Sequence, residues 1–148
     1  MTRYIVLLAL AVCGIAAAAE QDDPSKTFYI QLVRGTVGEK PPQKEAKAIG
    51  PRLAKRLQPV FRWKTYWEVN RVQATVEPGH KSRVRLSRQH EVEIDLSVAG
   101  KRTVHFFEDG KRVSTSTQQS GVAVTIQGGN ATGENAWFIV VRKDKPTE

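Results

Sequence analysis

Apolar residues recur every second position through most of the chain beyond Lys26, the period of half-buried strands. Thr27 to Arg34 sets Phe28, Ile30 and Leu32 on one face and Tyr29, Gln31 and Val33 on the other, as in an inner strand or a docked edge. Tyr66 to Val76 changes parity partway: Trp67 and Val69 share one face, whereas Val72, Ala74 and Val76 share the other. A bulge near Asn70-Arg71, or a crossing between sheets, accounts for that switch. Ser82 to Ser87 and Glu91 to Val98 alternate cleanly and are expected to form a hairpin, after a turn at Glu77-Pro78-Gly79-His80.

The alternation also implies registers. Leu86 should oppose Val92 and Val84 should oppose Ile94, with Arg88-Gln89-His90 as the loop. Arg85 then faces Glu93 and Arg83 faces Asp95. An Asp109-Gly110 turn, where both positions tolerate positive φ, organises a second hairpin with Phe107 opposite Arg112, Phe106 opposite Val113 and Val104 opposite Thr115. Gly121 to Gln127 is a further strand with Val122, Val124 and Ile126 inward. Ala136 to Arg142 is apolar almost throughout, as expected of a central strand covered on both faces.

Two segments break the period. Gly35 to Ala48 carries Pro41-Pro42 and many charges and reads as a mobile loop. Gly50-Pro51 opens a short helix with Leu53 and Leu57 on its buried side, which Pro59 stops; Val60 and Phe61 continue the apolar contact. So short a helix must dock on a sheet to persist. The expected fold is mainly β: a small antiparallel β-sandwich of about seven strands with one short helix, a small β-barrel being the alternative.

Upstream of this domain the pattern changes. Arg3, then an apolar stretch from Tyr4 to Ile15, then Ala16-Ala17-Ala18-Ala19 before Glu20 is the layout of a secretory signal peptide, cleaved near Ala18 or Ala19. The expected organisation is therefore a leader over 1–19, a disordered polar start over 20–26, one β-domain over 27–143 with its loop at 35–48, and a tail over 144–148. The place of action is the periplasm or the exterior. Cys13, the single cysteine, lies in the leader, so cleavage removes any disulfide or thiolate site. The alternative is a lipoprotein anchored through Cys13; Val12 and the apolar run continuing past it argue against that.

Without Arg3 the Lys and Arg count falls from 23 to 22 against 15 Asp and Glu, leaving a net charge of +7. Export turns this charge away from nucleic acid and toward an acidic polymer or another envelope protein, or leaves it as an aid to solubility.

Candidate chemistry is sparse. His80 and His90 fall at opposite ends of one expected strand and His105 belongs to the next hairpin, so no metal-ligand spacing is present and no metal or cofactor is expected. Glu91, Glu93 and Asp95 line one strand face, and the expected cross-strand arginines hold two of the three, Glu93 and Asp95, as surface ion pairs. Ser114-Thr115-Ser116-Thr117 lacks the context of a hydrolytic serine, and Gly128-Gly129 lacks that of a phosphate loop. Asn130-Ala131-Thr132 matches a glycosylation sequon. Most informative are the cations interleaved with aromatics: Lys55, Arg56, Arg62, Trp63, Lys64, Tyr66, Trp67 and Arg71. Such a set can grip an anionic polymer, charges on its acids and rings on its sugars; equally, Trp67 and Phe61 can be core, with Trp63 or Tyr66 stacked under a cation.

The basic helix Pro51 to Leu57, the segment Phe61-Arg62-Trp63-Lys64-Thr65-Tyr66-Trp67 and the closing Trp137 to Val141 strand resemble small uncharacterised envelope proteins of Gram-negative bacteria. Val113-Ser114-Thr115 through Gly128-Gly129 to the last strand is loosely similar to β-segments of secretin-type outer-membrane assemblies. Both resemblances imply an envelope-associated, non-enzymatic module, with no catalytic site carried over. The expected function is binding through Lys55, Arg56, Arg62, Trp63, Lys64, Tyr66 and Arg71. The alternatives are a wall- or polysaccharide-acting hydrolase using His90 or His105, and a structural or inhibitory module that pairs through an exposed edge at Thr27 to Arg34.

Overall fold

The computed structural model describes residues 26–59, 62–128 and 135–146. The leader with Cys13, most of the polar start, Val60, Phe61, the Asn130-Ala131-Thr132 sequon and the last two residues lie outside them. Among the described residues nine strands and one helix follow in the order β1 (Thr27–Thr36), β2 (Lys47–Ala48), α1 (Pro51–Leu57), β3 (Thr65–Thr75), β4 (Lys81–Arg85), β5 (His90–Asp95), β6 (Lys101–Glu108), β7 (Lys111–Gln119), β8 (Val124–Gly128) and β9 (Asn135–Arg142). They form two antiparallel sheets: five strands in the order β2-β3-β1-β9-β8 and a four-stranded meander β4-β5-β6-β7. The two sheets stay separate rather than closing into a barrel, so the arrangement is a β-sandwich.

The alternation along β1 and β9 explains the layering. Phe28, Ile30, Leu32, Ile139 and Val141 face the meander and meet its Leu86, Val92, Ile94, Val104 and Phe106. On the opposite face of the same sheet, Val33, Ala136, Phe138 and Val140 meet Leu53 and Leu57 of the helix, with Trp63 and Tyr66. Each side chain so buried contributes about 1.5–3 kcal/mol. The apolar run at the chain's end is thus a strand covered on both sides, as its composition predicts. Gly50 precedes the helix, Pro51 occupies its first turn, and Ala54 N donates to Gly50 O at 3.0 Å.

Several expectations need correction. β1 is central, paired with β3 on one side and β9 on the other, so Thr27 to Arg34 offers no free edge. The segment read as a loop over 35–48 is strand at both ends: Gly35 and Thr36 extend β1, and Lys47–Ala48 pair with Glu68 and Trp67. Thr36 is held there because Trp67 Nε1 donates to its hydroxyl at 3.1 Å. The bulge in β3 falls at Val69, next to the expected position: Leu32 faces Asn70 and Val33 faces Glu68.

β8 begins at Val124 instead of Gly121, leaving Val122 exposed. Its Val124 and Ile126 pack on the helix side, while Thr125 and Gln127 occupy the space between the sheets.

Register differs in both hairpins. β4 and β5 pair Val84 with Val92, Arg85 with Glu91 and Arg83 with Glu93, two residues from the expected register, with facing preserved. The cause is the turn. Ser87 Oγ accepts N–H bonds from Gln89 at 3.2 Å and His90 at 3.0 Å, so the loop closes one residue early and His90 enters the strand. In the next hairpin Phe107 faces Arg112 as expected, over a turn with Asp109 at φ 51° and Gly110 at φ 77°. A bulge at Val113 then puts Ser114 opposite Phe106 and leaves Val113 exposed.

Gly35 marks the closest packing of the helix-side layer. A Cβ there would stand 2.7 Å from Trp63 Cγ and 3.1 Å from Phe138 Cε2, both ring atoms within the core. Gly35→Ala should lower the free energy of unfolding by about 1–3 kcal/mol, the range for overpacking. Gly38→Ala, with nothing near its Cβ, should leave it within about 0.5 kcal/mol. Urea midpoints of the two variants check this.

Candidate functional site

The basic-aromatic segment divides into two parts. Trp63 is 7% exposed and Tyr66 3%, so neither ring is presented to a polymer. Tyr66 packs edge-on against Phe138, ring centroids 5.9 Å apart, and burial raises its phenol pKa. Arg71 is engaged as well: its Nη2 and Nε reach Glu68 Oε2 at 2.8 and 3.1 Å. Glu68 also accepts a bond from buried Gln31, whose oxygen accepts one from Arg142 Nη1 at 3.4 Å. This network satisfies polar groups on an otherwise apolar sheet face.

The remaining members stay at the surface. Lys55, Arg56, Arg62 and Lys64 are exposed and make no ion pair among the described residues; the Arg62 guanidinium lies 5.3 Å from the Trp63 ring centre. The helix places its two leucines inward, which forces its cations outward and adds Arg52, four residues before Arg56. Arg52 and Arg56 line a small cavity of about 70 Å³ with Arg142 and Asp144. Arg142 binds the Asp144 carboxylate and holds its pKa down, with a smaller effect from Arg56.

On the outer face of β4 and β5 the cations are matched. Glu91 receives Arg85 at 2.8 Å and also Arg83, and these bonds depress its pKa. Arg83 further covers the Phe107 ring at 3.7 Å. In the observed registers Glu93 lies between Arg83 and His105, and Asp95 between Lys81 and Thr103. Ligand atoms of Glu93, Asp95 and His105 lie within 4.8 Å of one another, so these three are the group able to hold a cation among the described residues. Each already has a partner: Lys81 at 3.7 Å from Glu93, Ser97 on Asp95, and Thr115 Oγ1 at 2.9 Å from His105 Nδ1. Pairing alone brings them together, and no burial organises them.

His90 is the most unusual titratable group. Its ring is 1% exposed, packed between Phe106 and Trp137 with centroids at 5.7 and 4.7 Å. Nδ1 meets Ser87 Oγ at 2.8 Å, and Nε2 lies 3.8 Å from Glu108 Oε1, too far for a hydrogen bond. Serine, histidine and glutamate therefore stand in a row beside an open depression of about 680 Å³ that includes Asn70, Ser87 and Trp137. The serine is already committed, since its oxygen accepts the two turn amides while facing the imidazole. Its geometry supports a turn lock.

Compared with known proteins, the chain matches no family model, no curated protein and no solved structure.

Two residues of interest were not singled out from sequence. Arg52 was legible from its i, i+4 spacing to Arg56. Arg102 shares the phase of Val104 and Phe106 and points inward with them, a signal present in the alternation of β6.

Burial lowers the His90 pKa, outweighing the opposite pull of Glu108 and Asp109. The unfolded chain therefore binds this proton more readily, and stability should fall as pH drops through about 6.5, the ordinary histidine value. Glu91, Asp95 and Asp144, whose pKa values are depressed, act in a lower window, below about pH 4.5. Urea unfolding between pH 7.5 and 5 should show a declining limb that His90→Gln removes; an unchanged limb in the variant would assign it to another group.

Proposed function

We propose that this chain is an exported, non-enzymatic binding domain whose basic surface around α1 engages an acidic polymer of the cell envelope. The observation that carries this reading is the concentration, around one docked helix, of exposed cations with no carboxylate partner among the described residues. Lys26, Arg71, Lys81, Arg83, Arg85 and Arg142 each have a carboxylate within 4.0 Å. Lys55, Arg56, Arg62 and Lys64 have none among the described residues, although they sit near one another in sequence around the helix. Uncompensated positive charge held on a docked element forms an attractive field for a polyanion. The leader and the resemblance to envelope proteins supply the compartment, and the amphipathic helix supplies the rigid base. No helix among the described residues is long and apolar enough to cross a membrane. With Trp63 and Tyr66 in the core, the contact is electrostatic, without ring stacking on sugars.

Retention on immobilised polygalacturonate tests this. The wild-type domain should elute at a defined salt concentration. Lys55→Ala, Arg56→Ala, Arg62→Ala and Lys64→Ala together should weaken binding about tenfold or more, since each exposed charge contributes about 0.2–1 kcal/mol. Arg83→Ala with Arg85→Ala, which removes paired cations, should elute as wild type. Equal retention of the four-fold variant, with its circular dichroism unchanged, would overturn the proposal. Export is checked separately: the protein recovered from outside the cytoplasm should begin close to Glu20.

A further inference from the structure

A cavity of about 390 Å³ opens at the end of the sandwich where the turns before β4 and β6 meet the starts of β1 and β6 and the end of β9. Phe28, Leu96 and Val98 give it an apolar wall, and Lys101, Arg102 and Lys143 give it positive charge. It shares no residue with the surface around α1.

Arg102 is what sets this cavity apart. It is 1% exposed, and no carboxylate pairs with it among the described residues. Nη2 donates to Thr125 Oγ1 at 2.8 Å, and the guanidinium lies 5.5 Å from the Phe28 ring centre. Its buried Nε and Nη1 have no hydrogen-bond partner. Burial pulls its pKa downward, yet arginine keeps its charge in proteins. A buried, charged donor left unmatched is costly, and proteins ordinarily pair such groups. The two unmatched nitrogens belong to the planar fork that suits a carboxylate or phosphate. The size also falls within the range of small-molecule sites.

We infer that this cavity binds a small organic anion, a carboxylate or phosphate carried on an apolar body, with Arg102 holding the charged group and Lys101 and Lys143 guiding its approach. The apolar wall contacts the body of the ligand. Interaction with Arg102 takes place away from solvent, where charge pairing is strong.

Hexanoate and hexyl phosphate serve as probes, with hexanol as the uncharged control and inorganic phosphate as the bare anion. Hexanoate or hexyl phosphate should raise the melting temperature in a concentration-dependent way and shift the Arg102 Nε–Hε resonance; hexanol should do neither. Which of the two is stronger identifies the head group. Arg102→Met, which keeps an apolar stem, should weaken binding about tenfold to a hundredfold, the range for hydrogen bonds to a charged group. Lys101→Glu with Lys143→Glu leaves the interior untouched and should weaken binding while the domain remains folded. Should Arg102→Met fail to fold, the Nε–Hε resonance of the wild type and the rim variant decide the matter. Failure of both organic anions to move that resonance would overturn the inference, as would inorganic phosphate binding equally well. Since the cavity and the helix surface share no residue, hexanoate binding by the variant with Lys55→Ala, Arg56→Ala, Arg62→Ala and Lys64→Ala separates a failure of this inference from a failure of the proposed function.

Discussion

Everything in this fold follows from β9 being apolar on both faces. A strand that reads Ala-Trp-Phe-Ile-Val-Val cannot leave either side in water, so its sheet needs a cover above and another below. The meander supplies one cover. The chain supplies the other with a seven-residue helix and the Trp63 to Tyr66 segment, too little structure to stand alone but enough to seal one face. The close approach of Gly35 to Trp63 is a direct result of fitting that second cover tightly.

The same constraint distributes the charges. Across β4 and β5 of the meander, Lys81, Arg83 and Arg85 are paired with Glu93 and Glu91. The helix has only one polar side to offer, its leucines being used, and that side is basic with no acidic residue in its first turn. Positive charge thereby accumulates where the second cover meets solvent. Inside, Gln31, Glu68, Arg71 and Arg142 close a polar network on the sheet. The Arg102 side chain is bonded only through Thr125 to Gln118, with no carboxylate paired to it among the described residues and two of its nitrogens unmatched.

The two-layered β architecture, the docked helix and the double burial of β9 were readable from the period of apolar residues, because burial acts on each residue separately. The inward and outward faces of β4 and β5 were right, and the pair Phe107–Arg112 beside the second turn was as expected. Register was not, since it depends on single hydrogen bonds that no periodicity encodes. Ser87 closing on the amides of Gln89 and His90 moved one hairpin by two residues, and a bulge at Val113 moved the other. At the candidate surface, Lys55, Arg56, Arg62 and Lys64 emerged as exposed. The interleaving that suggested an aromatic grip instead reflects core rings alternating with solvated cations, a pattern a strand entry produces by itself. The grouping of Glu93, Asp95 and His105 required the true register and so lay beyond the sequence.

The placement of β1 also bears on when the domain can form. Its two neighbours in the sheet are β3 and β9, so the first strand stays half-paired until the last has been synthesised. Contacts spanning nearly the whole chain carry a large loop-closure cost and slow folding. Until Val140 and Val141 are available the central strand lacks one ladder, and the nascent polypeptide has little reason to become compact. Late closure of this kind leaves the commitment to the folded state to the strand that completes the ladder beside β1.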